Sequence, residues 1–538
     1  VIHLDNVTVS YPGSTVPALR EVNLHIREGE LALVIGTTGS GKSTLLKSIN
    51  GLTPHFTGGH LSGRVLVADR DTRSHRPRDL ADVVGSVLQD PRDGFVAEIV
   101  EDEIAYGMES IGIETSVMRR RVEESLDLLG LTEVRQRPLR TLSGGQQQRT
   151  AIAAVLAQHP QVLVLDEPTS ALDPAAAEEV LAALQRIVHD LGLTVVLAEH
   201  RLERVVQFAD RVIHVEQGRV EAGEPGVMMA TSNVAPPVVE LARLTKWNPI
   251  PLSVRDARRS ASGLRDTLAA AQLDAHKPTV EPPRAAPKLL VDAVIAGYGN
   301  VPVLRELSLA VHGGETVALM GRNGAGKSTL LRTLVGLTEP DAGSVEVSGV
   351  DPADLSPAEL LPHICLVPQE PADLLWTDSV ARECRQADLD GHAPSGAALE
   401  LFAQLAPGVV PTTHPRDLSE GQRMALAIAI MLAASSDSVL LDEPTRGLDY
   451  ATKRRLVAIL KQRAADGCAV IVATHDVELV AEVATRTVVM ADGEVVADGP
   501  TAEVIVGSPQ FAPQVAKVFA PLPFLTVAGV ADAISKAG

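Results

Sequence analysis

The chain has 538 residues, enough at about 150 residues per domain for three or four domains and more than one large core. Its apolar fraction of 45% and charged fraction of 22% are ordinary for a globular protein, which excludes disordered, collagen-like and low-complexity classes. A net charge of −20 argues against a broad basic surface for nucleic acid, although a few backbone N–H groups and one lysine can hold a phosphate on an acidic protein.

The longest uninterrupted apolar run, residues 424–434, is 11 residues long, well short of the roughly 20 that cross a bilayer. The chain opens on Val1 with no basic stretch followed by an apolar one. Cys365, Cys384 and Cys468 are widely spaced and suit neither a zinc site nor a disulfide framework, so they are expected to be buried and reduced, as in a cytosolic protein.

In chain order, the apolar strand Leu31–Ile35 leads into GTTGSGKST (36–44), and a helical stretch follows over Lys42–Ile49. Glycines in this pattern let several backbone N–H groups face one point, where the helix adds its positive end. Lys42 is placed to reach the outer phosphates of a polyphosphate, and Ser43 to offer a hydroxyl to Mg²⁺. Farther on, LSGGQ (142–146) precedes a helical stretch over 147–156, and an apolar strand over 162–165 ends at Asp166 and Glu167. Neighbours on a strand face opposite sides, but at a strand end the chain turns and both carboxylates can serve one site. One can hold a cation and the other orient an attacking water. A further apolar strand, 195–198, precedes His200.

The same series then repeats. A strand over 317–320 enters GRNGAGKST (321–329), with Lys327 and Ser328 in the matching places. LSEGQ (418–422), a strand over 439–441 ending at Asp442 and Glu443, and a strand over 470–473 before His475 follow in the same order and at nearly the same spacing. The repetition extends past the histidines: residues 241–243 and 251–254 resemble 515–517 and 524–527, so each copy carries a C-terminal extension. Residues 263–287, proline-rich at their end, are read as a linker between a first domain of 1–262 and a second of 288–538. Buried parallel strands with polar groups at their carboxyl ends make the fold class α/β, twice over. Arg119, Arg120 and Arg121 read as a solvated helix face, and Trp247 and Trp376 as packing residues.

LSGGQ (142–146), LSEGQ (418–422), DEPTSALD (166–173) and DEPTRGLD (442–449) resemble the ATP-binding-cassette family, whose pattern covers nearly the whole chain in both copies. The resemblance implies two tandem P-loop nucleotide-binding domains, each with a parallel-sheet core, a helical subdomain and a small C-terminal extension, which bind ATP with Mg²⁺ and hydrolyse it. By that resemblance Tyr11 and Tyr298 stack on adenine, Gln89 and Gln369 touch Mg²⁺ and face a membrane partner, and His200 and His475 contact the γ-phosphate. It also implies that the two cassettes of one chain close head to tail on two ATP molecules. One composite site joins Gly36, Gly39, Ser40, Gly41, Lys42, Ser43, Thr44, Gln89, Asp166, Glu167 and His200 with Ser419, Gly421 and Gln422 of the second copy. The other joins Gly321, Gly324, Ala325, Gly326, Lys327, Ser328, Thr329, Gln369, Asp442, Glu443 and His475 with Ser143, Gly144, Gly145 and Gln146. Glu167 and Glu443 polarise the attacking water.

One departure is Glu420, where the family segment has glycine. An inward carboxylate there would repel the nucleotide, and the site built on Lys327 is then expected to be the faster.

Within the family, the wording after Gln89 and around Thr445–Tyr450, with the extensions, looks most like the fused double ATPases of energy-coupling-factor importers. That implies an integral membrane coupling subunit, a substrate-binding membrane subunit, no nucleic-acid partner and a place on the cytoplasmic face of the membrane. Two alternatives stand beside it. Duplicated sugar-importer ATPases often lose one catalytic carboxylate, and here both are kept. Ribosome-associated members carry long charged linkers, whereas residues 223–288 hold a mixed set of nine Lys or Arg and six Asp or Glu.

Overall fold

The computed structural model describes residues 1–13, 16–170, 172–273, 286–299, 301–507 and 511–537. It divides into two compact units, Val1–Ser253 and Val254–Gly538. The boundary therefore falls before the expected one at 262. The helices Val254–Ser260 and Ser262–Leu273 belong to the second unit, where they pack on Gln514–Phe519 and Val527–Ala537 respectively. Arg258 adds hydrogen bonds from its guanidinium to the carbonyls of Lys517 (3.1 Å) and Ala520 (3.4 Å). The first part of the expected linker is thus helical, residues 274–285 lie outside the described residues, and Pro287, expected to close the linker, instead opens the strand Pro287–Tyr298.

Each unit is built on a six-stranded sheet. In the first, the order is Arg219–Gly223, Arg211–Glu216, Leu31–Ile35, Thr194–Ala198, Val162–Asp166, Val84–Val87, with only the first pair antiparallel. The second unit repeats this order with Glu494–Pro500, Arg486–Ala491, Thr316–Met320, Ala469–Ala473, Ser438–Asp442 and Ile364–Val367. The inner parallel strands, such as Leu31–Ile35, Thr194–Ala198, Thr316–Met320 and Ala469–Ala473, read as unbroken apolar runs because both of their faces are covered. Ala32, Val34, Val162, Val164, Val196 and Ala198 share one core with Leu45, Leu46 and Ile49 of the helix Lys42–Ile49 and with the antiparallel sheet of Ile2–Ser10, Leu19–Ile26 and His60–Val67. The alternate residues Leu33, Leu163, Leu165, Val195 and Leu197 are equally buried.

The apolar run at 424–434 becomes most of the helix Glu420–Ala433, wrapped in core by Cys384, Phe402, Leu405, Val439 and Leu456. Among the described residues no helix is long and apolar enough to cross a membrane. All three cysteines are buried and free, and burial pushes the Cys365 and Cys384 thiols up to about 12 and Cys468 up to about 11.

Sheet order decides where function can sit. The strand entering each glycine loop lies beside the strand that precedes the histidine, and that strand lies beside the one ending in the carboxylate pair. Because all three run parallel, their carboxyl ends open on one edge and their loops converge there.

Candidate functional site

In the first unit Gly36 and Gly41 have φ of +150° and +113°. A Cβ on Gly36 would stand 2.2 Å from the Val215 carbonyl oxygen, and one on Gly41 would stand 2.4 Å from that of Ala18. Only glycine permits this close wrapping of the loop on its neighbours. Gly39, and in the second unit Gly321, Gly324 and Gly326, share the positive φ, while Ser40 and its counterpart Ala325 are buried in the loop wall. The lysines curl over the loop mouth. Lys42 Nζ donates to the carbonyls of Gly36 (2.9 Å) and Thr37 (3.0 Å), and Lys327 Nζ to those of Gly321 (2.7 Å) and Arg322 (3.2 Å). Each lysine is also the first residue of its helix, so side-chain charge and helix end lie together.

Asp166 and Asp442 end their strands beneath these loops. Burial raises both carboxyls above the usual range; the neighbouring Glu167 or Glu443 adds to the rise, and hydrogen bonds from Ser43 or Ser328 oppose it. A hard serine–carboxylate pair of this kind suits Mg²⁺. Among the described residues no group of three or more His, Cys, Asp or Glu is placed to hold a metal, so a cation here would need oxygens from the bound phosphates.

The turn expected at each strand end is present and is built from an unusual backbone. Glu167 and Glu443 have φ of +50° and +48°, the left-handed region that costs a non-glycine residue on the order of 1 kcal/mol or more. Their N–H groups still bond across the sheet, to Ala198 (2.9 Å) and Ala473 (2.8 Å). The turn brings each glutamate to its histidine. Glu167 Oε1 lies 3.1 Å from His200 Nε2, and Glu443 Oε1 lies 2.7 Å from His475 Nδ1.

The second oxygens are held differently. Glu167 Oε2 accepts from Gln89 Nε2 (3.2 Å), whereas Glu443 Oε2 accepts from Thr474 Oγ1 (3.1 Å). In the first unit the residue before the histidine is Glu199, fully buried, which accepts from the backbone N–H groups of Thr169 (3.0 Å) and His200 (3.1 Å) and from the Thr169 hydroxyl. The sequence signal for this difference was only that the copies diverge there, Glu199 against Thr474.

Burial holds the Glu199 carboxyl above the usual range, partly opposed by the Thr169 hydrogen bond. A raised folded-state value means the folded chain binds more protons than the unfolded one above the ordinary carboxylate range. Stability should therefore fall as pH rises from about 4.5 through that raised value. Glu199→Gln removes the titration, so its melting temperature should vary less steeply than that of the parent between roughly pH 5 and 8. An unchanged slope in thermal melts would contradict this.

The tyrosines stand beside the loops. The Tyr11 hydroxyl lies 3.5 Å from Thr44 Oγ1 and 3.2 Å from Thr53 Oγ1, and the hydroxyl of Tyr298, half exposed at 52%, is hydrogen-bonded by Thr329. Gln369 follows the strand Ile364–Val367 in the place that Gln89 holds after Val84–Val87.

The segments LSGGQ and LSEGQ form helix starts. Ser143 caps Gly144–Leu156, with Gln146 N–H bonded to Ser143 Oγ (3.3 Å) and Ser143 N–H to Gln146 Oε1 (3.1 Å). Ser419 and Gln422 repeat this reciprocal cap on Glu420–Ala433. The helix at 147–156 thus begins three residues earlier than expected, inside the motif. Gly145 and Gly421 are close-packed; a Cβ would meet Ala176 Cβ at 2.7 Å or the Gly447 carbonyl oxygen at 2.1 Å.

Glu420 does not project as a lone charge. Its carboxylate is paired with the Arg446 guanidinium, and both side chains are largely buried. The expectation of a slower Lys42 site rested on an uncompensated carboxylate, and this pairing removes its electrostatic basis. Trp376, expected to be a packing residue, is 82% exposed.

Two parallel-sheet units, each with a phosphate-shaped glycine loop, a carboxylate pair and a histidine, define a tandem P-loop nucleotide hydrolase. The family model for the ABC transporter matches residues 19–170 and 304–446. A protein of Streptomyces avermitilis provisionally named ABC transporter ATP-binding protein is 57% identical over 99% of this chain and 100% of its own length. One of Methanosarcina mazei with the same provisional name is 34% identical over 97% of this chain and 92% of its own. Among solved structures, an archaeal ribosome recycling factor in complex with the stalk protein aP1 aligns over 93% of this chain and 91% of its own, with a TM-score of 0.58 and 20% identity, a likeness of fold. The chain belongs to the ATP-binding-cassette family: it is an ATP-binding, ATP-hydrolysing subunit of an ABC transporter with both cassettes in one polypeptide.

Proposed function

We propose that this chain is the fused double ATPase of an energy-coupling-factor importer, which binds two ATP–Mg²⁺ at head-to-tail composite sites and drives micronutrient uptake through membrane partners. Within each site, Lys42 or Lys327 and the loop amides bind the phosphates, and Ser43 with Asp166, or Ser328 with Asp442, holds Mg²⁺. When bound, the cation neutralises charge on the phosphates. Glu167 and Glu443 accept the proton of the attacking water, and His200 and His475 orient these carboxylates and meet the γ-phosphate. The opposing Ser143 or Ser419 helix start supplies amides to the far side of the nucleotide.

The observation that carries the membrane coupling is a matched pair of exposed apolar side chains. Val96 and Trp376 occupy equivalent positions, each seven residues beyond its glutamine, and are 61% and 82% exposed. Large apolar groups left in water on both copies, seven residues past the glutamines in sequence, suit helices of a membrane subunit docking there. The chain retains the glutamate in both copies, which speaks for two working sites.

The test is affinity purification from detergent-solubilised membranes. Two integral membrane proteins should co-purify, and Val96→Ala with Trp376→Ala should reduce their recovery at least tenfold, a loss of about 1.4 kcal/mol, while ATPase activity without partners is unchanged. Recovery of ribosomes in place of membrane proteins would contradict the proposal.

A further inference from the structure

In the second unit a single guanidinium joins three motifs. Arg446, in the turn after Glu443, pairs with Glu420 of the LSEGQ segment and lies 3.6 Å from the carboxylate of Glu370, the residue after Gln369. The turn that carries it is pressed onto the same helix start, since Gly421 leaves no room for a Cβ against the Gly447 carbonyl. The first unit has none of the three charges in this arrangement: Gly144 replaces Glu420, Ser170 replaces Arg446, and Asp90 is bonded instead to Arg92 (2.6 Å).

The chemistry of the helix start makes this difference consequential. Glu420 is the first residue of its helix, where a carboxylate is drawn to the same positive end that would meet a phosphate. An uncompensated Glu420 would therefore compete with the nucleotide for those amides and repel it. A cation fixed on Glu420 removes the competition.

We propose that Arg446 is a positioning residue for ATP at the site built on Lys42: it neutralises Glu420, holds its carboxylate off the helix end and ties that end to the glutamine loop through Glu370. The inference rests on the head-to-tail reading, because the Lys42 site must use the Ser419 helix start. Glu420 and Arg446 then act as a unit, harmless together and damaging when the arginine is lost.

The test uses the full chain with ATP as the probe, in two backgrounds: Glu443→Gln, which leaves the Lys42 site competent, and Glu167→Gln, which leaves the Lys327 site. In the first, Arg446→Ser should raise the KM for ATP roughly tenfold, the size of one close, partly buried charge interaction, with kcat changed less than about twofold. Adding Glu420→Gln should return KM to within about threefold of the parent, which a merely structural role for Arg446 would not do. Thermal melts of the variants establish that they fold. A KM that stays high after Glu420→Gln, or that never rises, overturns the inference. A rise and rescue confined to the Glu167→Gln background would overturn instead the head-to-tail assignment on which it rests, showing that Arg446 serves its own copy's site.

Discussion

Replacing both Glu167 and Glu443 by Gln should lower steady-state ATP turnover by about 10²–10³-fold while ATP still binds. The substitution keeps the shape of each side chain and an oxygen to accept from Gln89 or Thr474, but removes the group that takes a proton from water. The neighbouring carboxylates Glu199, Asp166 and Asp442 are engaged elsewhere. Glu199 is turned toward Thr169 and the His200 N–H, and Asp166 and Asp442 are hydrogen-bonded by the serines of the glycine loops. With Glu420 paired, Glu167→Gln and Glu443→Gln made singly should cost equal turnover, within about threefold. A much larger loss for Glu443→Gln would mean that the Lys42 site is hindered after all.

The second large effect is expected at Gly421. A methyl group there would stand 2.1 Å from the Gly447 carbonyl oxygen, a backbone atom in the turn after Glu443 that cannot rotate aside. Gly421→Ala must therefore lift the helix Glu420–Ala433 from that turn. This should cost about 1–3 kcal/mol of stability, or several degrees in Tm, and loosen the Glu420–Arg446 contact as well. Gly145 in the first copy provides the comparison. There the obstacle is the Ala176 methyl at 2.7 Å on a neighbouring helix, so Gly145→Ala should be milder. Thermal melts of the two variants check the order; equal shifts would contradict it.

A feature of this chain is legible in its sequence when it is set locally. Runs such as Leu31–Ile35, doubly buried and entering a glycine loop, announce themselves because burial on both faces removes alternation and the loop needs its glycines. The carboxylates and histidines were legible as strand ends, and the sheet order then gathered them. The Ser143 and Ser419 caps were visible as motifs, though their helices begin within the motif and not after it.

Features set by distant partners were not legible. Nothing in residues 254–273 says that they pack against 514–519 and 527–537 instead of the copy they follow. Trp376 looks like core from its chemistry, and only its surroundings leave it in water. Glu420 reads as an intruding charge until Arg446, distant in sequence, is placed against it.

The proposed function requires each ATP to be gripped by the glycine loop of one copy and the serine-headed helix of the other. Disulfide trapping measures this directly, since the three native cysteines are buried and will not compete. Paired cysteines introduced as Thr38→Cys with Ser419→Cys should cross-link within the chain when ATP is present, and Asn323→Cys with Ser419→Cys should not. Cross-linking to position 323 in place of position 38, or none to position 38 with ATP bound, would contradict it.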